Sequence, residues 1–265
     1  MAAGGAVTLP AVHDTGSGPA VLFLHAFPLD SSMWDHQVAA ISGSFRCLRV
    51  DMWGCGSSPA PPDEPGFASY VRAALTAMDE RGIESFGLVA CSMGSYVAWE
   101  VLRAAPERVI SLVLVGSRST ADTEDGRKAR ADMIASIERD GVDAILEDYV
   151  TRLVAPKSGE EAHITDPIRA RIRRWSVDGL VWALRSISDR PDSTALLADI
   201  RVPTLVIAGE LDAFMPVGDQ EQIAQRIPGA RFVRFDGYGH LPNLEAHPTF
   251  SDALAEHLNA RPTGG

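Results

Sequence analysis

The segment 88–95, LVACSMGS, has the residue types and spacing of a catalytic nucleophile. An apolar strand pattern runs directly into Ser92, and a helix pattern begins immediately after it. The small residues Ala90 and Gly94 permit a tight bend that lifts the serine side chain clear of the sheet and aims helix N–H groups at it. A serine at such a turn is also a common helix cap, so this segment alone does not establish catalysis.

A serine attacks a carbonyl only with a base beside it, and that base needs an acid to orient it. Of the seven histidines, His240 is the best base, because it follows the last strand pattern within the glycine-containing loop 236–242, DGYGHLP. Asp212, just beyond another strand pattern, is the candidate acid, and Glu210 is its local rival. A solvated loop histidine and a turn carboxylate are the ordinary alternatives.

Acyl transfer also needs N–H donors for the oxyanion that develops on the substrate, each worth roughly 3–4 kcal/mol. The N–H of Met93, directly after the serine, is one candidate. The N–H of Phe27 is the other, since Pro28 beside it has no N–H to donate. We expect His25, in the same loop, to shape that loop by hydrogen bonding.

The elements that must position these groups alternate along the first part of the chain. Short apolar runs separated by helices of about ten or more residues predict a parallel, doubly wound α/β sheet with helices on both faces. Strands are predicted at 21–25, 47–51, 86–90, 109–115, 203–209 and 231–235. Helices are predicted at 32–41, 67–80, 93–104, 217–226 and 249–258. Ser92, Asp212 and His240 then all follow the carboxyl ends of strands, where open α/β sheets place their sites.

The alternation stops between residues 117 and 199. No convincing strand pattern occurs there, and helix patterns cover 127–139, 142–153, 166–175 and 180–188. The sequence therefore predicts an α/β core formed by 1–116 and 200–265, with a helical insert at 117–199.

Composition excludes several classes of protein. The 265 residues are 46% hydrophobic with a formal net charge of −11, which argues against nucleic acid and anionic membranes as partners. No apolar run reaches about 18 residues, and residues 1–7 lack a signal-peptide pattern, so we expect a cytoplasmic protein. The three cysteines form neither a disulfide framework nor a zinc spacing. The expected partner is a small-molecule substrate; nothing in the sequence indicates an oligomeric state.

From Val21 to His257 the chain resembles the α/β-hydrolase superfamily. Four landmarks match in order: the oxyanion loop 25–30 (HAFPLD), the loop 51–58 (DMWGCGSS), the serine turn, and the Asp212/His240 pair. The first and third look most like cap-bearing esterases, cofactor-free haloperoxidases (perhydrolases) and 3-oxoadipate enol-lactonases. The resemblance implies an α/β-hydrolase fold, a helical cap formed by the insert, and a triad that needs no metal or organic cofactor. A serine nucleophile disfavours the haloalkane dehalogenase and epoxide hydrolase branches.

Several residues depart from the superfamily pattern. Ala26 and Ala90 replace usual glycines, Ser95 replaces another, and Trp53 replaces a usual arginine. Cys91 stands where a bulkier residue is common. The departures at 53 and 91 indicate an altered edge of the substrate pocket. The predicted substrate-binding residues are Pro28, Trp53, Cys91, Trp175 and Trp182. Packing is the ordinary alternative for Cys91, Trp175 and Trp182, and proline is in any case common in loops such as that of Pro28.

The sequence therefore predicts a serine hydrolase acting on a carboxylic ester, lactone or thioester. The catalytic residues would be Ser92, Asp212 and His240. The same groups could also cleave a C–C bond in a β-diketone-type substrate, or serve a biosynthetic acyl-transfer or cyclisation step. A ligand-binding member of the fold without turnover is the alternative from a different class.

Overall fold

The computed structural model describes residues 8–62 and 64–260, and its centre is a seven-stranded sheet. The strands are β1 (Val12–Thr15), β2 (Ala20–Leu24), β3 (Arg46–Val50), β4 (Phe86–Cys91), β5 (Val109–Val115), β6 (Thr204–Gly209) and β7 (Arg231–Phe235). Their spatial order is β1-β3-β2-β4-β5-β6-β7. Only β1 is antiparallel to its neighbour, so the predicted, mostly parallel sheet is confirmed.

Helices flank this sheet and fill the insert. They are α1 (Asp35–Ile41), α2 (Phe67–Asp79), α3 (Met93–Ala104), α4 (Glu124–Asp140), α5 (Asp143–Leu153), α6 (Pro156–Gly159), α7 (Ala162–Ile172), α8 (Val177–Ser188), α9 (Val217–Arg226), α10 (Pro242–Glu245) and α11 (His247–Asn259). Short 3₁₀ turns cover Ser31–Trp34, Pro106–Arg108 and Thr194–Asp199. None of the helices in the described ranges is long and apolar enough to cross a membrane.

The central strands were predictable because their residues are apolar without alternation. Every residue of β2, β4 and β6 is buried, as a parallel strand covered on both faces requires. Each large apolar side chain buried there contributes about 1.5–3 kcal/mol, so the strands that carry the site are held firmly. The site residues follow β4, β6 and β7, which lie in the half of the sheet that runs from the central strand β4 to the edge strand β7.

Residues 117–199 contain α4 to α8 and no strand, as the pattern predicted. Two tryptophans of this helical insert donate hydrogen bonds to backbone carbonyls of the core. Trp175 Nε1 donates to Leu29 O at 2.9 Å, and Trp182 Nε1 donates to Glu64 O at 3.1 Å. Gly54 and Gly179 touch backbone to backbone, since a Cβ on Gly54 would lie 2.5 Å from the Gly179 Cα. The division into a core and a cap domain at 117 and 199 stays a prediction.

The elements that the sequence pattern missed are short or polar. Strand β1, sequence VHDT, is partly exposed and is held by pairing with β3 rather than by burial. Helix α7 begins at Ala162, not at 166, because the amides of Ile164 and Thr165 bond to Glu161 O before Pro167 interrupts the pattern. Residues 1–7, where no signal peptide was predicted, lie outside the described residues.

Candidate active site

Ser92 occupies a strained turn between β4 and α3. Its φ of 53° and ψ of −113° make it the only non-glycine residue of the described ranges with positive φ. Such a conformation costs about 1–3 kcal/mol and persists only where the surroundings enforce it. The Ser92 N–H donates to Val115 O at 2.9 Å, and a Cβ on Gly94 would lie 2.4 Å from Leu24 O. The strand ends and the close approach at Gly94 therefore impose the bend.

Asp212 and His240 form a buried hydrogen-bonded pair. His240 Nδ1 lies 2.7 Å from Asp212 Oδ2, and the two side chains are 1% and 0% exposed. The other carboxylate oxygen accepts the N–H groups of Phe214 and Met215 at 2.8 and 2.9 Å. Burial alone would raise the pKa of Asp212, but His240 and these N–H donors outweigh it and lower the pKa. Because the ionised carboxylate only accepts, Nδ1 is the nitrogen that donates to it, and in a neutral imidazole Nε2 is then the acceptor.

Gly116, directly after β5, brings this pair next to the serine. A Cβ on Gly116 would lie 2.8 Å from His240 Cε1 and 3.4 Å from Asp212 Oδ2. The preceding residue, Val115, is the one whose carbonyl accepts the Ser92 N–H. No direct hydrogen bond joins Ser92 and His240 in the described part of the chain. Contacts of this kind commonly tighten only when substrate binds.

Glu210, the rival acid, has a different role. Its side chain is exposed, and Oε2 accepts the Gly237 N–H at 2.8 Å instead of meeting the imidazole. The structure therefore joins Asp212, and not Glu210, to His240.

The two candidate oxyanion donors are free. Within residues 8–62 and 64–260, neither the N–H of Phe27 nor that of Met93 donates to a protein acceptor. Met93 is the first residue of α3, where a backbone N–H has no intrahelical partner. His25 shapes the loop as predicted, since its Nδ1 lies 3.0 Å from Ala26 O and its Nε2 accepts the Met52 N–H at 2.9 Å.

Aromatic rings from the core and from the insert form a connected cluster that contacts His240 through Phe214. Phe214 lies 5.1 Å from the imidazole and stacks on Tyr149 of α5 at 5.5 Å, measured between ring centroids. Phe27 meets Tyr149 and Trp175 edge to face at 5.5 and 5.6 Å. We call Phe27, Tyr149, Trp175 and Phe214 the aromatic roof. Tyr149 and Phe214 were missed, because an aromatic residue at helical spacing or in a loop carries no chemical signal of its own.

The other predicted substrate-binding residues lie around this site in different ways. Pro28 is buried in the Phe27 loop, joined to Phe27 by a cis peptide bond. Cys91 is the last residue of β4, pairs with Val115, and is buried, which raises the pKa of its thiol. Trp53 and Trp182 pack on each other at 5.4 Å in a separate aromatic cluster with Tyr70 and Phe67. Substrate contact by these residues stays a prediction.

A buried polar chain behind the site links the serine helix to the acid loop. Ser95 Oγ lies 2.6 Å from Ser117 Oγ, and the Ser117 N–H donates to Gln220 Oε1 at 3.3 Å. Gln220 Nε2 then donates to Met215 O at 3.0 Å, and Met215 is one of the residues that hold Asp212. Sequence reasoning missed this chain, since its members are 103 residues apart between Ser117 and Gln220.

One cluster has metal-binding residue types. The ligand atoms of His25, Asp51 and Cys55 lie within 4.8 Å of one another. Each is already engaged, however: His25 Nε2 accepts the Met52 N–H, Asp51 accepts N–H groups of residues 31 and 57, and Cys55 Sγ donates to a carbonyl. Burial also raises the pKa of the Cys55 thiol, which disfavours the thiolate that a metal needs. The cluster therefore supports the two loops.

Comparison with known proteins places this geometry in a family. The family described as "Alpha/beta hydrolase family" matches residues 21–253. 3-Oxoadipate enol-lactonase 1 of Acinetobacter baylyi is 27% identical over 235 residues, 88% of this chain and 86% of that protein. Pimeloyl-[acyl-carrier protein] methyl ester esterase of Nitrosomonas europaea is 28% identical over 252 residues, 88% of this chain and 93% of that protein. The structure of a thermophilic esterase from Thermogutta terrifontis, malate bound, has a TM-score of 0.90 and 31% identity, covering 94% and 92% of the two chains.

The family match includes the strands before Ser92, Asp212 and His240, together with the whole insert. The predicted fold class and the resemblance to esterases and enol-lactonases are therefore confirmed, and these relatives support ester hydrolase activity. The chain belongs to the alpha/beta hydrolase family and is a hydrolase.

Proposed function

We propose that this hydrolase cleaves a carboxylic ester, lactone or thioester through an acyl-enzyme formed on Ser92. The observation that carries the proposal is the buried His240–Asp212 hydrogen bond, held against Gly116 beside the strained serine turn. A ligand-binding protein would have no use for a strained serine, a base and an ionised acid at one point. The named lactonase and esterase relatives act on bonds of the same class.

The proposed reaction follows from the atoms at the site. Ser92 Oγ attacks the substrate carbonyl while His240 Nε2 takes the hydroxyl proton. Asp212 stabilises the imidazolium that forms and keeps the ring in the tautomer that leaves Nε2 free. His240 then protonates the leaving alkoxide or thiolate, and the acyl group remains on the serine.

The charge that develops on the carbonyl oxygen needs donors that are not already used. The unpaired N–H groups of Phe27 and Met93 are suited to this role, each contributing roughly 3–4 kcal/mol to the transition state. Water activated by His240 then attacks the acyl-enzyme with the same donors in place. Ser92 accepts the returning proton as the acid leaves.

The aromatic roof bears on the substrate class. Four connected aromatic rings, of which Phe214 contacts the imidazole, favour a substrate that presents apolar or aromatic faces next to the scissile bond. Aryl esters and lactones with a hydrocarbon portion meet this requirement. A small aryl ester such as p-nitrophenyl acetate is therefore a suitable first substrate.

The test is turnover of p-nitrophenyl acetate by wild type and by Ser92→Ala. We expect the substitution to reduce kcat by at least about a thousandfold, because only oxyanion and binding effects remain without the nucleophile. Ser136→Ala is the control, since this serine lies on α4 and its hydroxyl donates to Asp132 O of the same helix; its kcat should match that of the wild type.

A fluorophosphonate probe separates the proposal from its alternatives. Labelling of the wild type at Ser92, located by mass spectrometry and lost in Ser92→Ala, is the expected result. Absence of labelling in the folded wild type would favour the ligand-binding interpretation and refute the proposal. With labelling established, rates on aryl esters, lactones and β-diketones distinguish ester cleavage from C–C cleavage.

A further inference from the structure

Glu245, the last residue of α10, links the catalytic loop to the helical insert. Its Oε1 accepts the N–H of Gly239, the residue directly before His240, at 2.9 Å. Its Oε2 accepts the N–H of Ala155, between α5 and α6 of the insert, at 2.7 Å. One carboxylate therefore binds one backbone amide on each side of the boundary between core and insert.

The backbone around these two bonds is packed without space for side chains. A Cβ on Gly239 would lie 2.5 Å from both Ala155 N and the Val154 carbonyl carbon. On the other side, a Cβ on Gly209 would lie 1.8 Å from Gly239 O. Gly239, the residue before His240, is thus closely packed between the end of β6 and the insert. A movement of the insert would displace Gly239 and, with it, the adjoining His240.

Both bonds depend on the side chain being a carboxylate. Burial raises the pKa of Glu245, and the surrounding N–H donors only partly oppose this effect. The side chain also lines a cleft of about 600 Å³ between α6, α7 and the start of α11, so it borders open space on one side only. A glutamine of the same shape offers one acceptor oxygen, and its NH₂ group would face the other backbone N–H.

We propose that Glu245 is a positioning residue that makes the placement of His240 depend on the seating of the helical insert. With the insert seated, Ala155 and Gly239 share the carboxylate, and the loop holds the imidazole over Gly116. With the insert displaced, the loop loses this support, and the base is no longer aligned with Ser92. This inference rests on the proposed function for its effect on catalysis.

The experiment compares Glu245→Gln with Glu210→Gln. Glu210 provides the matched control, since its exposed side chain accepts the Gly237 N–H of the same loop and makes no hydrogen bond to the insert in the described part of the chain. Steady-state kinetics on p-nitrophenyl acetate, the rate of fluorophosphonate labelling, thermal unfolding and amide hydrogen exchange are measured on both. For Glu245→Gln we expect kcat and the labelling rate to fall about tenfold or more with KM nearly unchanged, as for a slightly misplaced base.

Hydrogen exchange tests the link independently of activity. Exchange of the Ala155 and Gly239 amides should accelerate together in Glu245→Gln, whereas Glu210→Gln should leave Ala155 unchanged. A lower melting temperature without the kcat loss and without the joint acceleration would identify a structural role and overturn the proposal. Rates within twofold of the control in a folded Glu245→Gln protein would overturn it as well.

A second variant covers the case in which Glu245→Gln does not fold. Glu245→Asp keeps the carboxylate but shortens the side chain by one methylene group, so it can no longer reach the Ala155 and Gly239 N–H groups together. A folded Glu245→Asp protein with control-like rates and protected Ala155 and Gly239 amides would overturn the proposal. If the wild type fails to label at Ser92, the proposed function falls, while the exchange data still decide whether Glu245 joins loop and insert.

Discussion

Substitution of Gly116 by alanine tests whether His240 must lie against the end of β5. The added Cβ would lie 2.8 Å from His240 Cε1 and 2.9 Å from Nδ1, the nitrogen that donates to Asp212. Carbon atoms in contact normally stay about 3.5–4.0 Å apart, so the ring must move by roughly 0.7 Å or more. The ring is buried and hydrogen-bonded, and this movement separates it from Asp212, from Ser92 or from both.

The substitution is expected to lower both the stability of the fold and the catalytic rate. Gly116 has a φ of +54°, and an alanine in this region costs about 1–2 kcal/mol of stability. For a domain of this size, that cost lowers the melting temperature by a few degrees. Misplacement of a catalytic group by about 1 Å lowers the rate by roughly a hundredfold, so we expect kcat to fall between about tenfold and a hundredfold.

The assay is p-nitrophenyl acetate hydrolysis, with the melting temperature measured on the same samples. Gly82→Ala is the matched control, because Gly82 has a φ of +67° and a Cβ there would meet nothing within 4 Å. It should show the same stability loss with unchanged kcat. If Gly116→Ala folds and retains the activity of Gly82→Ala, the placement of the base over Gly116 does not matter for catalysis, and the reasoning fails.

Two further predictions concern the acid and the thiols. Asp212→Asn should lower kcat by about 10⁴-fold. Since its folded pKa is lowered, Asp212 stabilises the fold above its unfolded pKa of about 3.9, and this contribution disappears as pH falls through the folded pKa. Denaturant titrations should therefore show the stability gap to the asparagine variant shrinking as the pH falls below about 4, and a constant gap would contradict the assignment. Burial raises the pKa of the thiols of Cys47 (to about 11), Cys55 and Cys91. A thiol reagent at about pH 8 should therefore label none of them in the folded protein and all three after unfolding. Labelling of the native protein would contradict their burial.

The fold was largely predictable because β2, β4 and β6 are buried along their whole length. Nearly continuous apolar runs such as 86–91 and 204–209 indicate parallel strands, and their alternation with helices predicts the architecture. β1 escaped this reasoning, because it is a short edge strand with polar residues, held by its partner β3. A hydrophobic pattern in the sequence indicates which side chains of a segment are buried. It gives little information about a strand such as β1, whose side chains are mostly not buried.

The site divides in the same way. The sequence predicts the residues whose chemistry depends on their own type and local turn, and it favours Asp212 over Glu210 as the acid. The structure separates these two carboxylates by environment: one is fully buried against His240, and the other is exposed on Gly237. Tyr149, Gln220 and Glu245 act through partners more than sixty residues away, so no local pattern could identify them.

The departures from the superfamily pattern are explained by backbone geometry. Ala90 and Ala26 replace glycines at positions without positive φ, and both are buried, so a methyl group fits there. Gly94 is different, since any side chain would strike the Leu24 carbonyl at 2.4 Å, and the sequence retains glycine at that position. Ser95 is not only accommodated at its position but also makes a hydrogen bond of its own. Its hydroxyl meets Ser117 at the start of the insert and begins the polar chain to the Asp212 loop, so here a residue that departs from the pattern ties the serine helix to the acid.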